Sequence, residues 1–390
     1  MFGKSIKLFK LFGFEIKVDL SWIVIAVLAA WALAKFQFPT QVGGLSQSVY
    51  WWMGVAGAVG LFVSIVFHEL WHSLIARRFG LQMKGITLFI FGGVSEMTEE
   101  PANAKVEFWM AIAGPLSSVA LAVIFYLLSW VASGGVVLPY LSPITPPPLL
   151  SAGMSPLVAV LFYLGYLNGL LAIFNIIPGF PLDGGRVLRA IIWAFDKDVV
   201  KATRIASWVG SAFALLLIAV GLFSVLTGVL GGLWYALVGW FLWGAARSSY
   251  QQVLVRKGLE GVTVRKLMEA NPVTVPRALS IERFVEDYIY KHTYKMYPVL
   301  DGDRLGGCAS LKKVKDIPRT EWQTRTVGEI AGGCSPDDTI GPEANATDAL
   351  AQMGRAGLSR LMVVEGNRLV GIISLKDMLQ FLNAKLQLGQ

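Results

Sequence analysis

The chain has 390 residues, room for more than one domain, of which 55% are hydrophobic and only 15% charged. Soluble domains carry roughly 25% charged residues, so a single water-soluble globule is excluded. The net charge of +8 gathers beside long apolar runs, which suits a membrane surface and predicts no nucleic-acid partner.

No Asp, Glu, Lys or Arg occurs from Phe108 to Leu182, or from Ile205 to Ala246. Charge-free stretches of this length predict membrane spans of about 20 residues each. Six are expected, at 19–35, 50–76, 106–131, 157–177, 206–227 and 230–246. The first starts too late, and lacks the small-residue cleavage site, for a removable signal peptide. Lys4, Lys7, Lys10 and Lys17 precede the first span, Arg77, Arg78, Lys84 and Lys105 follow the second, and Arg186, Arg189, Lys197, Lys201 and Arg204 follow the fourth. The opposite loops hold almost nothing basic, so the expectation is a multi-pass protein of the cell membrane with both termini cytoplasmic. Mixed charges return after Arg247 and predict a cytoplasmic tail. Its cysteines, Cys308 and Cys334, are the only two in the chain and give no disulfide framework.

The second span contains His68-Glu69-Leu70-Trp71-His72. Histidines at i and i+4 share one helical face and can reach one ion, while the glutamate between them can take a proton from water. Ionisable groups in hydrocarbon are costly and rarely present without a task, although paired packing histidines near a membrane surface are the bland alternative. Arg77 marks the cytoplasmic end of the helix, which puts His68 roughly 13 Å inside the boundary at about 1.5 Å per residue.

The run Ile86-Thr-Leu-Phe-Ile-Phe-Gly-Gly-Val94 is apolar and β-prone. It predicts a membrane-dipping strand with a free edge for an unwound substrate, or else a surface hairpin. Catalytic zinc needs a third protein ligand. The third histidine, His292, belongs to the tail, so a carboxylate is expected. Asp183 is the first charge after the long neutral stretch and sits in Asn175-Ile-Ile-Pro-Gly-Phe-Pro-Leu-Asp-Gly-Gly-Arg186, where prolines and glycines break the helix. Glu96, Glu99 and Glu100 compete with it.

These segments, with Ala113-Gly-Pro115, resemble the site-2 protease family of intramembrane metalloproteases and run in the family's order across roughly residues 1–250. The resemblance implies His68, His72 and Asp183 as ligands of one Zn2+ per chain, Glu69 as catalytic acid and base, and Asn175 as a substrate or intermediate contact. Phe91, Gly92, Gly93 and Pro181 complete the expected substrate-binding set. The implied activity is endopeptidase cleavage of transmembrane segments. The implied substrate is a single-span regulator, such as an anti-sigma factor or membrane-tethered transcription factor, in the lipid bilayer. A CBS-regulated metal-ion transporter is the alternative, and a scaffold that has lost its metal a weaker one. Transport leaves Glu69 unexplained and usually needs polar groups on several spans.

Within the tail, Asp301-Gly-Asp-Arg-Leu-Gly-Gly-Cys-Ala-Ser-Leu-Lys312 repeats 64 residues later as Glu365-Gly-Asn-Arg-Leu-Val-Gly-Ile-Ile-Ser-Leu-Lys376. Each copy predicts a hairpin followed by a helix. The pair resembles tandem CBS domains, expected at 251–322 and 323–390, which commonly bind ATP, ADP or AMP and associate into homo-oligomers. The family's ribose anchor maps to Asp377 after Ser374, but its counterpart in the first copy is Lys313. The expected fold class is therefore a polytopic α-helical membrane protein of about six transmembrane helices, with a membrane-dipping β-rich loop, followed by a cytoplasmic α/β CBS-domain pair.

Overall fold

The computed structural model describes residues 5–387 except 82, 91, 98–100, 137–153, 293, 295, 303 and 334. Phe91, Glu99, Glu100 and Cys334 thus lie outside the described residues. The chain divides into two compact units, Met1–Gln251 and Gln252–Gln390.

The first unit opens with a hairpin, β1 (Ser5–Leu11) and β2 (Phe14–Asp19), and then α1 (Leu20–Gln41), whose first turn is capped by the Asp19 carboxylate accepting from the Ser21 N–H at 2.9 Å. There follow α2 (Gln47–Arg78), β3 (Met83–Phe89), β4 (Gly92–Met97), α3 (Ala104–Ala132), α4 (Pro156–Ile176), α5 (Asp183–Asp196), α6 (Val199–Leu226) and α7 (Gly232–Leu259). Among the described residues, α1, α2, α3, α4 and α6 are long and apolar enough to cross a membrane, as only helices or closed barrels can do. The sixth expected span, 230–246, falls in the first part of α7, which is not one of these five. α7 also carries the chain across the boundary between the units.

The four strands form one sheet in the order β1-β2-β3-β4, with β2 and β3 parallel and the other neighbours antiparallel. Of the two expectations for residues 86–94, a strand with a free edge or a hairpin, the antiparallel pairing of β3 with β4 has the form of the hairpin. β3 is paired on both sides, and the two edges of the sheet are β1 and β4. Phe14, Ile16 and Val18 of β2, with Ile86 and Leu88 of β3, pack on Val66 and Leu70 of α2. Residues two apart on a helix point about 200° apart. Burying Val66 and Leu70 in the sheet therefore turns His68 and His72 to the opposite side, against α3.

α4 stops at Ile176 because Pro178 and Pro181 cannot supply helical N–H donors. The chain crosses an irregular segment containing a cis Phe180–Pro181 bond and restarts as α5 at Asp183. Gly184 permits this sharp return. A Cβ there would stand 2.3 Å from the carbonyl oxygens of Ile176 and Ile177.

The second unit is built on a six-stranded sheet of β5 (Val275–Pro276), β6 (Met296–Asp301), β7 (Arg304–Ser310), β8 (Thr339–Ile340), β9 (Arg360–Glu365) and β10 (Arg368–Ser374), ordered β5-β6-β7-β10-β9-β8. Each strand of the first repeat has its counterpart 64 residues on, and the two hairpins meet at β7 and β10. The two cores are interlocked. Leu259, Val264 and Leu267 are buried with the second repeat's Leu361 and Ile373, while Val327 is buried with the first repeat's Val299 and Phe284.

Candidate metal centre and cavity

α2 delivers His68 and His72, both buried, and the N-terminus of α5 delivers Asp183. His68 Nε2 and His72 Nε2 lie 3.0 and 3.1 Å from the same Asp183 Oδ2, and 3.2 Å from each other. Among the described residues, these are the three that form a metal-competent cluster.

The ring nitrogens on the far side decide what the near ones offer. His72 Nδ1 is 2.6 Å from the Met110 carbonyl, which can only accept, so Nδ1 carries the proton and Nε2 presents its lone pair. His68 Nδ1 meets Ser118 Oγ at 2.8 Å, and a hydroxyl can accept in the same way. Two imidazole lone pairs and a carboxylate oxygen then converge on one point, an arrangement that repels itself unless a cation or proton stands between. Ligand atoms about 2.0–2.1 Å from one tetrahedral ion are about 3.3 Å apart. The observed 3.0–3.2 Å and the nitrogen–oxygen donor set therefore fit zinc.

Glu69 is half-buried, next to His68 on α2, and its side chain lies against Gly93 of β4. A Cβ at Gly93 would come within 2.5 Å of Glu69 Cγ, so glycine is what lets the strand approach the carboxylate. A cavity of about 600 Å³ opens beside the cluster. His68, Glu69 and Asp183 line it together with Gly92, Gly93, Asn175 and Pro181, and its apolar walls come from α1, α4 and α7, with Trp22, Phe174 and Trp234 among them. Asn175 donates one amide N–H to the Leu171 carbonyl at 2.9 Å. Phe91 aside, which lies outside the described residues, the structure thus brings the expected residues of the membrane unit together. The side chain of Glu96, a rival ligand, is not among those described.

Three functional neighbours have little or no signature in the sequence. Met110 acts through its backbone carbonyl, and Ser118 is one of many small residues on α3. Glu107 is fully buried at the start of α3. Its Oε1 accepts from Arg189 Nε at 2.7 Å and also from Arg189 Nη2. The Arg189 guanidinium lies 5.1 Å over the Phe180 ring, so one arginine ties α3 to both α5 and the segment leading into Asp183. Glu107 immediately precedes the charge-free run, and Arg189, six residues after Asp183, reads in the sequence as a membrane-flank charge.

In the second unit, a cleft of about 830 Å³ is lined by Asn271, Tyr294, Arg360, Ser374, Lys376 and Asp377, among others. Asp377 Oδ2 accepts from the Ser374 N–H at 2.9 Å and from Ser374 Oγ at 2.6 Å, capping the helix Leu375–Gln387. At the matching place in the first repeat, Lys313 Nζ instead donates to the Cys308 carbonyl at 3.3 Å.

Comparison with known proteins follows the same division. The model of peptidase family M50 matches residues 56–218, and that of the CBS domain matches residues 327–384. A protein of Mycobacterium tuberculosis named zinc metalloprotease Rip3 is 35% identical over 382 residues, covering 97% of this chain and 93% of its own. Zinc metalloprotease MJ0392 of Methanocaldococcus jannaschii is 31% identical over 379 residues, covering 96% and 95%. A solved site-2 protease from Methanocaldococcus jannaschii aligns at 29% identity with a TM-score of 0.43, over 63% of this chain and 95% of that one.

Proposed function

This chain belongs to peptidase family M50, the site-2 zinc metalloproteases, and from that premise we propose that His68, His72 and Asp183 hold its zinc and that Glu69 moves its protons. The substrate is an unwound transmembrane segment of another membrane protein, received in the cavity beside them. The observation that carries this reading is the meeting of three ligand atoms within 3.2 Å on the wall of an apolar cavity that Glu69 shares.

Bound zinc supplies a Lewis acid that polarises the scissile carbonyl and makes water acidic enough to be deprotonated near neutral pH. Glu69 takes that water's proton as its oxygen bonds to the carbonyl carbon, then returns the proton to the amine nitrogen as the C–N bond breaks. The hydrogen bond to Leu171 holds the Asn175 amide in place, and its second N–H donates to the developing oxyanion. A helical substrate hides its carbonyls in hydrogen bonds. The open edge of β4, beginning at Gly92 and Gly93, offers an unwound segment a strand to pair with, directly beside Glu69.

The basic flanks support a multi-pass arrangement with both termini cytoplasmic, the first part of α7 serving as a sixth span. Arg78 ends α2 ten residues beyond His68, and Ala104 begins α3 ten residues before Gly114. Both lengths support a zinc site about 15 Å from the proposed cytoplasmic ends of these helices. The tail cleft at Ser374 and Asp377 is the proposed adenine-nucleotide site, with the nucleotide regulating cleavage and Lys313 leaving the first repeat without an anchor.

The test is co-reconstitution of the purified chain in vesicles with single-span membrane proteins encoded beside its gene. Cleavage within the span, lost in Glu69→Gln, is the expected result. Cleavage that persists in Glu69→Gln overturns the assigned chemistry, and rates that stay flat across an ATP and AMP titration overturn the assigned regulation.

A further inference from the structure

α3 carries, next to each other in its interior, the two residues least suited to a helix, Gly114 and Pro115. Elsewhere in this unit glycines make room for backbone, as at Gly184, for the Glu69 side chain at Gly93, or for apolar side chains. A Cβ at Gly60 would meet Leu164, and one at Gly165 would meet Tyr126. Gly114 faces something else. A Cβ there would stand 2.1 Å from His72 Nε2, 2.5 Å from His72 Cε1 and 2.6 Å from His68 Nε2. Zinc binds imidazole nitrogen at about 2.0–2.1 Å. The place a methyl group would take is therefore close to the place an ion takes between the two rings.

One helical turn to either side of Gly114 stand the groups that hold the rings from behind. Met110 offers its carbonyl to His72 Nδ1 at 2.6 Å, and Ser118 its hydroxyl to His68 Nδ1 at 2.8 Å. Residues 110, 114 and 118 are spaced i, i+4, i+8 and so share one face of α3. We infer that this face is the template of the metal centre, with Gly114 as a positioning residue whose missing side chain keeps open the volume the ion fills. Met110 and Ser118 set the ring orientations and turn both Nε2 lone pairs into that volume. The inference rests on the reading that His68, His72 and Asp183 are the ligands.

The experiment is zinc content per chain by plasma mass spectrometry, with affinity from Co2+ absorption titrations, on the full chain purified in detergent. The unsubstituted chain should hold one ion, and His68→Ala close to none. Gly114→Ala should fall at least about 100-fold in affinity, beyond the usual outer-shell range, and Ser118→Ala about 10- to 100-fold. Thermal melts of a second set separate clearance from folding. In a His68→Ala/His72→Ala background the rings are gone, so adding Gly114→Ala should leave the melting point unchanged or raise it, because alanine favours a helix. A Gly114→Ala chain that binds metal like the unsubstituted one, while His68→Ala does not, overturns this inference and leaves the ligand assignment standing. So does a Gly114→Ala penalty that survives in the ring-free background. Equal zinc in the unsubstituted chain and His68→Ala overturns the ligand assignment itself.

Discussion

Two arginine–glutamate contacts in this chain have similar chemistry and opposite surroundings. In the membrane unit, Arg189 Nε reaches Glu107 at 2.7 Å, with the carboxylate fully buried. In the tail, Arg325 Nε reaches Glu329 at 3.1 Å and Nη1 reaches Glu321 at 3.3 Å, with each side chain 39–48% exposed to solvent. Water can replace any partner of Arg325. It cannot do the same for Glu107, whose loss leaves a buried guanidinium without its counter-charge. A handful of buried polar groups therefore carries much of the membrane unit. Glu107 and Arg189 stand against each other where the surroundings supply no substitute, and the two histidines with Asp183 are the extreme case.

The largest effects should therefore come from that cluster. Asp183→Ala should abolish both zinc retention and cleavage, read by metal analysis and by substrate gels. An active Asp183→Ala protein would break the claim that these partners are irreplaceable. Glu69→Gln separates proton transfer from metal binding. It should lower turnover by about 10²- to 10⁴-fold while the zinc content stays at the level of the unsubstituted chain. Glu107→Ala comes next, expected to cost about 3–5 kcal/mol of stability and seen as a large fall in melting point in detergent. The paired Arg325→Ala should hardly move it, as exposed ion pairs contribute little. Similar shifts from the two substitutions would dissolve the contrast. The smallest effect is in pH. The Thr326 backbone N–H and then Arg325 hold the Glu329 carboxyl below its ordinary value of 4.5. Its contribution to tail stability is thus fully present above pH 4.5 and lost as pH falls through the depressed value. Hydrogen exchange in residues 326–330 should distinguish Glu329→Gln from the unsubstituted chain at pH 7 and converge on it in acid.

His68, Glu69 and His72 were legible because a helix turns i, i+4 spacing directly into proximity. Asp183 was legible because a charge ending so long a neutral run stands out, in a segment whose prolines and glycines forbid a helix. The N-terminal hairpin was not, although Phe14, Ile16 and Val18 alternate with Glu15 and Lys17. Its lysines read as topology signals, and its parallel pairing with β3 joins segments about seventy residues apart. For the same reason the run 86–94 shows a strand or a hairpin but not that β3 is also paired to β2. Met110 was beyond reach, because every residue has a carbonyl and only the fold decides which one a ring finds. Gly114 could be read as part of a motif, but its purpose depends on what stands opposite.

The interlocked cores of the tail also bear on how the protein is made. Leu259 and Val264 are buried with Met378 and Leu382, and Lys385 Nζ donates to the Gly258 carbonyl at 3.3 Å. The earliest-translated part of this unit waits for the latest. Domains usually fold in the order the ribosome releases them, but here the second repeat's core stays unfinished until the last helix has left the exit tunnel. The membrane unit has been synthesised in full by then. On this ground, the membrane unit is complete before the second unit can close its core, and a chain truncated before residue 375 loses both ends of the module.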